Sequence, residues 1–238
     1  MPLTRLVSAL KGRLVRGLSI VELMVGIAVG MFVLAGATLV VSSQLSDNRQ
    51  LMLETQVQQD LRATADLIAR DLRRGGYWAN AGSTVWPPAG AAAPVNPYRG
   101  GWTDVGVGGR SEWGYSYTGD VDGTTENDIE DGIERFGFAL RPADGVIEMR
   151  LGGAGWQALT DANVVRVNQF TITRNPQTIV VPCSKACPGG GTACWPTHLV
   201  LDYSIAIAAS AVHDGRVGRS IRSDVRLRND RVTGSCPA

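Results

Sequence analysis

The sequence predicts an α+β chain, a long N-terminal α-helix packed on an antiparallel β-sheet head with long loops. Three observations carry that expectation. Residues 23–41 read LMVGIAVGMFVLAGATLVV, an uncharged run broken only by small residues and Thr38. Further on, Val57, Leu61, Ala65, Ile68 and Leu72 recur at spacings of four, four, three and four, one stripe of an amphipathic helix. From residue 136 onward, short runs alternate apolar and polar residues with period two, as half-buried strands do.

The apolar run, taken as a helix, is roughly 28 Å long, close to the hydrocarbon thickness of a bilayer. Arg5, Lys11, Arg13 and Arg16 precede it within residues 1–17, and no acid accompanies them. By the positive-inside rule the N-terminus is cytoplasmic and everything from about residue 42 is exported. A signal anchor would share these features. So would a cleaved secretory signal, since Ala35-Gly36-Ala37 is a passable small-residue cleavage site, whereas a buried core helix fits the basic flank poorly. Glu22 separates the readings. A carboxylate in an apolar span costs on the order of 2.5 kcal/mol near its centre and less near an interface. Neither a signal peptide nor a simple anchor has any use for it.

The run Arg16-Gly17-Leu18-Ser19-Ile20-Val21-Glu22-Leu23-Met24-Val25 resembles the cleavage and methylation motif of type IV pilins and of type II secretion pseudopilins. The resemblance implies a leader, residues 1–17, removed by prepilin peptidase after Gly17, with the new amine of Leu18 methylated. Leucine at that position departs from the commoner phenylalanine and stays apolar. Glu22, fifth after the cut, is implied to pair with the terminal amine of a neighbouring subunit, which offsets the burial of both charges. Gly26 and Gly30 form a small-xxx-small pair suited to close helix approach, or are ordinary membrane-helix glycines. The helix is expected over residues 18–74, transmembrane from about 19 to 46 and amphipathic from 47 to 74, with Gly75-Gly76 as its end signal. A helix of this kind before a β-rich head is the type IV pilin fold. Major pilins usually carry a proline in the apolar half. Here there is none, which points to a minor subunit and leaves Gly36 as the weak point.

Residues 75–135 read as an irregular connection with a short strand or two, rich in glycine, proline and aromatics. Tyr77, Trp78, Trp86, Trp102 and Trp113 either mark a contact surface or plug a small core. An acidic stretch follows, with Asp120, Asp122, Glu126, Asp128, Glu130, Asp131 and Glu134. Calcium takes oxygen ligands in glycine-containing loops, so Asp120, Asp122 and Asp128 are weak candidates, but the spacing misses the EF-hand order and a solvated acidic loop is the plainer expectation. No cofactor is expected. Within residues 136–238, alternation over 136–140, 146–151, 164–174, 199–207 and 221–227 predicts one antiparallel sheet of four to six strands. Residues 128–140, 146–151, Gly155-Trp156-Gln157 and 225–229, with 71–77 at the helix end, resemble the PilW family of minor pilins.

Cys183, Cys187, Cys194 and Cys236 lie late in the chain, three of them in a Pro/Gly-rich loop. Zinc sites usually use tighter Cys-x2-Cys pairs, and export favours oxidation, so two disulfides are expected; three connectivities are open. His198 and His213 lack ligand spacing or a nucleophile motif, and no Walker A, HExxH or nucleophile elbow appears, so no enzyme is expected. A net charge of +1 gives no case for direct nucleic acid binding. The resemblance implies a minor pilin held in the inner membrane with a periplasmic head. It would act in pilus initiation with prepilin peptidase, other minor pilins and the major pilin as partners. A J-type pseudopilin of type II secretion, and a signal-anchored or secreted binding protein or adhesin, are the competing expectations.

Overall fold

The apolar run and the amphipathic stripe belong to one 53-residue helix, α1 (Ile20–Leu72). The computed structural model describes residues 17, 19–82, 94–98, 100–105, 110–119 and 126–237. The chain forms two compact units, residues 1–49 and residues 50–238. In the first, every residue from 20 to 49 is exposed. Thr38 and Ser43 donate their hydroxyls to the backbone carbonyls of Leu34 and Val40, so neither leaves a bare polar group on the apolar helix.

In the second unit the stripe is the buried face of α1. Val57, Leu61, Ala65, Ile68 and Leu72 are each at most 1% exposed, and Thr64 and Ala69 widen the face. Gly76 takes a positive φ of 72°, a backbone state that costs glycine little, and turns the chain away. The carbonyls left over at the helix end find donors from far along the chain. Asn229 Nδ2 donates to Gly75 O at 3.2 Å, and Asn96 Nδ2 donates to Gly76 O at 2.8 Å.

Nine strands follow among the described residues, in two antiparallel sheets rather than the single sheet expected. The first is a meander in chain order: β1 (Trp102–Val105), β2 (Ser111–Ser116), β3 (Arg135–Arg141), β4 (Val146–Leu151) and β5 (Trp156–Ala158). The stretch 75–135 thus contains β1, β2 and a 3₁₀ turn at Gly132–Glu134. The second sheet has β6 (Val165–Val180), β7 (Thr197–Ala211) and β8 (Gly218–Arg226), with β9 (Arg231–Thr233) pairing to the start of β7. The break has a local cause. Asp161 accepts from the backbone of Asn163 through Oδ1, and its carbonyl accepts from Val165 N at 3.0 Å, turning the chain after β5. Thereafter β6 pairs along its whole length with β7. Period-two alternation assigns faces to a strand but names no partner.

One core joins α1, β2–β4 and β6–β8. Tyr115, Phe138, Ile147, Tyr203, Ile205 and Ile207 are at most 1% exposed. Trp113 of the first sheet meets Tyr203 of the second edge-on at 5.0 Å, and Tyr117 stacks on Phe136 at 4.1 Å. Two of the tryptophans that could have marked a contact surface, Trp78 and Trp113, are core residues.

Candidate functional site

The residues expected to be processed come first in the chain. Gly17 is exposed, while Leu18 and the leader residues Arg5, Lys11, Arg13 and Arg16 lie outside the described residues. Ser19 begins the helical bonding: its carbonyl accepts from Leu23 N at 3.1 Å and its hydroxyl from Val21 N at 3.4 Å. Glu22 therefore sits in the first turn of α1, where a negative side chain suits the helix dipole. It is exposed. Gly26 and Gly30 lie one turn apart on the same side, and apart from the helix's own neighbouring backbone no heavy atom comes within 4 Å of where their Cβ atoms would be. Around them Ile20, Met24, Ile27, Met31, Phe32 and Leu34 are all more than half exposed. This segment is long and apolar enough to cross a membrane. Over residues 20–46 Glu22 is the single acid on an exposed apolar stretch, where an unpaired carboxylate in a low-dielectric setting is costly.

At the other end of the chain, Cys183 pairs with Cys236 and Cys187 with Cys194. The first bond ties the tail after β9 to the loop after β6; the second closes a short ring inside that loop. Spacing left the three pairings equivalent. The register of β9 on β7, Thr197 opposite Thr233, carries Cys236 to the loop that holds the other three. Asp230 reinforces the place: its Oδ2 accepts from Arg226 at 2.8 Å and lies 3.0 Å from His198 Nε2.

The acidic stretch is engaged with protein donors where it is described. Asp128 Oδ1 accepts from Trp78 Nε1 at 2.5 Å and from Asn80 Nδ2 at 2.9 Å. The Tyr98 hydroxyl lies 2.6 Å from Glu126 Oε1 and 2.8 Å from Glu134 Oε1. Burial, then these two carboxylates, push the Tyr98 phenol well above its ordinary range. Asp120 and Asp122 lie outside the described residues. Among the described residues no three His, Cys, Asp or Glu side chains are grouped to hold a metal.

Sequence reasoning missed a second set of polar residues, on the outer face of the first sheet. Arg110 donates to Glu112 and, at 2.6 Å, to the buried Glu148, while Arg141 bridges Glu148 and Asp144. Asn229, the donor at the helix end, was missed as well. No local pattern marks either, because each depends on partners brought together by strand register or across 154 residues.

The family model of prepilin peptidase-dependent protein B (PpdB) matches residues 50–227. No curated protein matches, and no solved structure matches. The matched stretch covers the buried half of α1 and the head through β8, and stops short of Gly17 and Glu22. The N-terminal motif and the family match are therefore separate observations on separate residues that agree. The match takes in well over half of the sequence, and the chain belongs to the family of prepilin peptidase-dependent protein B.

Proposed function

We propose that the chain is a minor pilin of PilW type, a non-enzymatic subunit that helps start or cap pilus assembly with other minor pilins and the major pilin. Prepilin peptidase cuts after Gly17 and the new Leu18 amine is methylated. The helix then holds the subunit in the inner membrane, with the head in the periplasm. One observation carries the reading: an apolar helical stretch with no buried residue from 20 to 46 and one acid, Glu22, stands ahead of a head that the PpdB model matches.

The physical logic is differential. Alone in the membrane, Glu22 lacks a counter-charge and is costly there. Beside another subunit, its carboxylate meets a terminal ammonium, and the pair offsets what each charge loses on leaving water. Gly26 and Gly30 let a neighbouring helix come close on the same side. Assembly is thereby favoured over the isolated subunit without any change in the head.

Mass spectrometry of the mature protein tests the processing. The expected chain begins at Leu18 with one added methyl group, and a chain starting at Met1 or Thr38 overturns the reading. Glu22→Ala tests the assembly role. Cleavage should proceed while recovery in sheared pili or in co-purified minor-pilin complexes falls. Wild-type incorporation of that variant would refute the pairing assigned to Glu22.

A further inference from the structure

We infer that an open-sided depression on the outer face of the first sheet binds a pyranose sugar carrying a carboxylate. The depression is about 620 Å³, within the range of small-molecule sites, and lies between the 3₁₀ turns Gly132–Glu134 and Gly152–Ala154. Its floor comes from strand register. Arg150 of β4 is directly opposite Trp156 of β5, and on its other side is Gly137 of β3, which has no side chain to fill the space.

The walls are fixed by chemistry that only this arrangement requires. Gly152 has φ +51°, and a Cβ there would lie 2.2 Å from Ile133 O, so a larger residue would push the two turns apart. Asp131 and Glu134 hold the first turn by a reciprocal capping box, with Ile133 N donating to Asp131 Oδ1 at 3.1 Å and Asp131 N to Glu134 Oε2 at 3.2 Å. The Trp156 ring is pinned on one face by the Arg110 guanidinium, 4.6 Å from the ring centroid, which Glu112 and Glu148 hold in turn.

Charge separates Arg150 from its neighbours. Arg110, Arg135 and Arg141 on this face each have a carboxylate partner. Arg150, half-buried at the edge of the depression, has no hydrogen bond or ion pair to any described residue. A guanidinium fork set beside an indole is built for a planar anion next to an apolar ring face. The C–H face of a pyranose suits the indole, its carboxylate suits Arg150, and the exposed Asp131 accepts from a hydroxyl. The site is read from the head alone and stands whether or not the subunit enters a pilus.

The test titrates the full-length protein in detergent micelles with glucuronic acid, glucose and acetate, read by calorimetry. Glucuronate should bind with glucose and acetate each about tenfold weaker or more, the scale of one charge-assisted hydrogen-bonded pair. Arg150→Gln should lower glucuronate to the level of glucose, and Trp156→Phe should weaken both sugars. Arg135→Gln, a paired arginine on the same face, should change neither. Arg150 supports no other side chain, so its variant should keep the wild-type thermal unfolding. Glucuronate bound no better than glucose, or unaffected by Arg150→Gln, overturns the proposal. Acetate or an acetylated alanine dipeptide binding as well as glucuronate overturns it too, assigning the site to a bare carboxylate or a peptide end.

Discussion

Along α1, residues 20–49 leave every side chain exposed although Ile, Val, Leu, Met and Phe dominate them, whereas seven residues between 57 and 72 are buried in the head. Both stretches present apolar side chains on the same kind of backbone. They differ in who covers them. The head supplies aromatic and aliphatic partners for the second stretch from both sheets. The first has none among the described residues, and a continuous apolar surface of that size marks contact with a membrane or another protein. The second stretch therefore contributes to the stability of the fold, and the first does not.

The largest break in this contrast should come from the tail of the head. Replacing Cys183 and Cys236 by serine opens a loop of sequence separation 53, and by chain entropy should cost about 4 kcal/mol; the same change at Cys187 and Cys194, separation 7, should cost about 2 kcal/mol. Urea unfolding of the two double variants checks the order. Neither should alter how the chain partitions into detergent, since residues 20–49 take no part in either bond.

A buried helix position comes next. Leu61→Ala leaves a cavity in the core and should cost about 3 kcal/mol, lowering the midpoint of head unfolding. Leu34→Ala, with a side chain 68% exposed, should leave that midpoint unchanged within error. Equal effects from the two substitutions would erase the distinction drawn between the stretches.

The smallest effect sharpens the picture from within the head. Tyr115 is buried and donates to Asp71 Oδ2 at 2.8 Å, and burial first, then the Asp71 charge, push its phenol well above 10.0. The folded head keeps this hydroxyl protonated at a pH where the unfolded chain has lost the proton. Stability from it is complete below about pH 10 and falls as pH rises beyond that value. Tyr115→Phe should cost about 1 kcal/mol at pH 7, the worth of a typical hydrogen bond, and make the alkaline decline shallower. Thermal unfolding between pH 8 and pH 11 measures both. Some decline should persist, because burial also raises Tyr98, Tyr117 and Tyr203.

What could be read from the sequence was whatever repeats along it. The helix stripe was visible because burial follows a fixed period there; the alternation at 146–151 matches the bounds of β4, although Val146, Ile147 and Glu148 are all buried. The strand expected over 164–174 is longer in the structure. In the fold β6 runs on to Val180, since it is an edge strand that pairs with β7 alone and tolerates a proline. The division into two sheets, the disulfide pairing and the opposition of Arg150 to Trp156 all depend on register between segments, which no single segment encodes. The N-terminal motif is the opposite case. Its residues are contiguous in the chain, so it is legible as sequence.

The contact between Asn229 and the end of α1 sets an order of events in time. Synthesis delivers the helix well before the residues near 229. Until then the Gly75 carbonyl has no donor from Asn229, β9 has not formed, and Cys183 lacks its partner Cys236. The joint between helix and head therefore closes only when almost the whole chain has arrived. A chain halted before that point would carry a helix whose head is still unlatched.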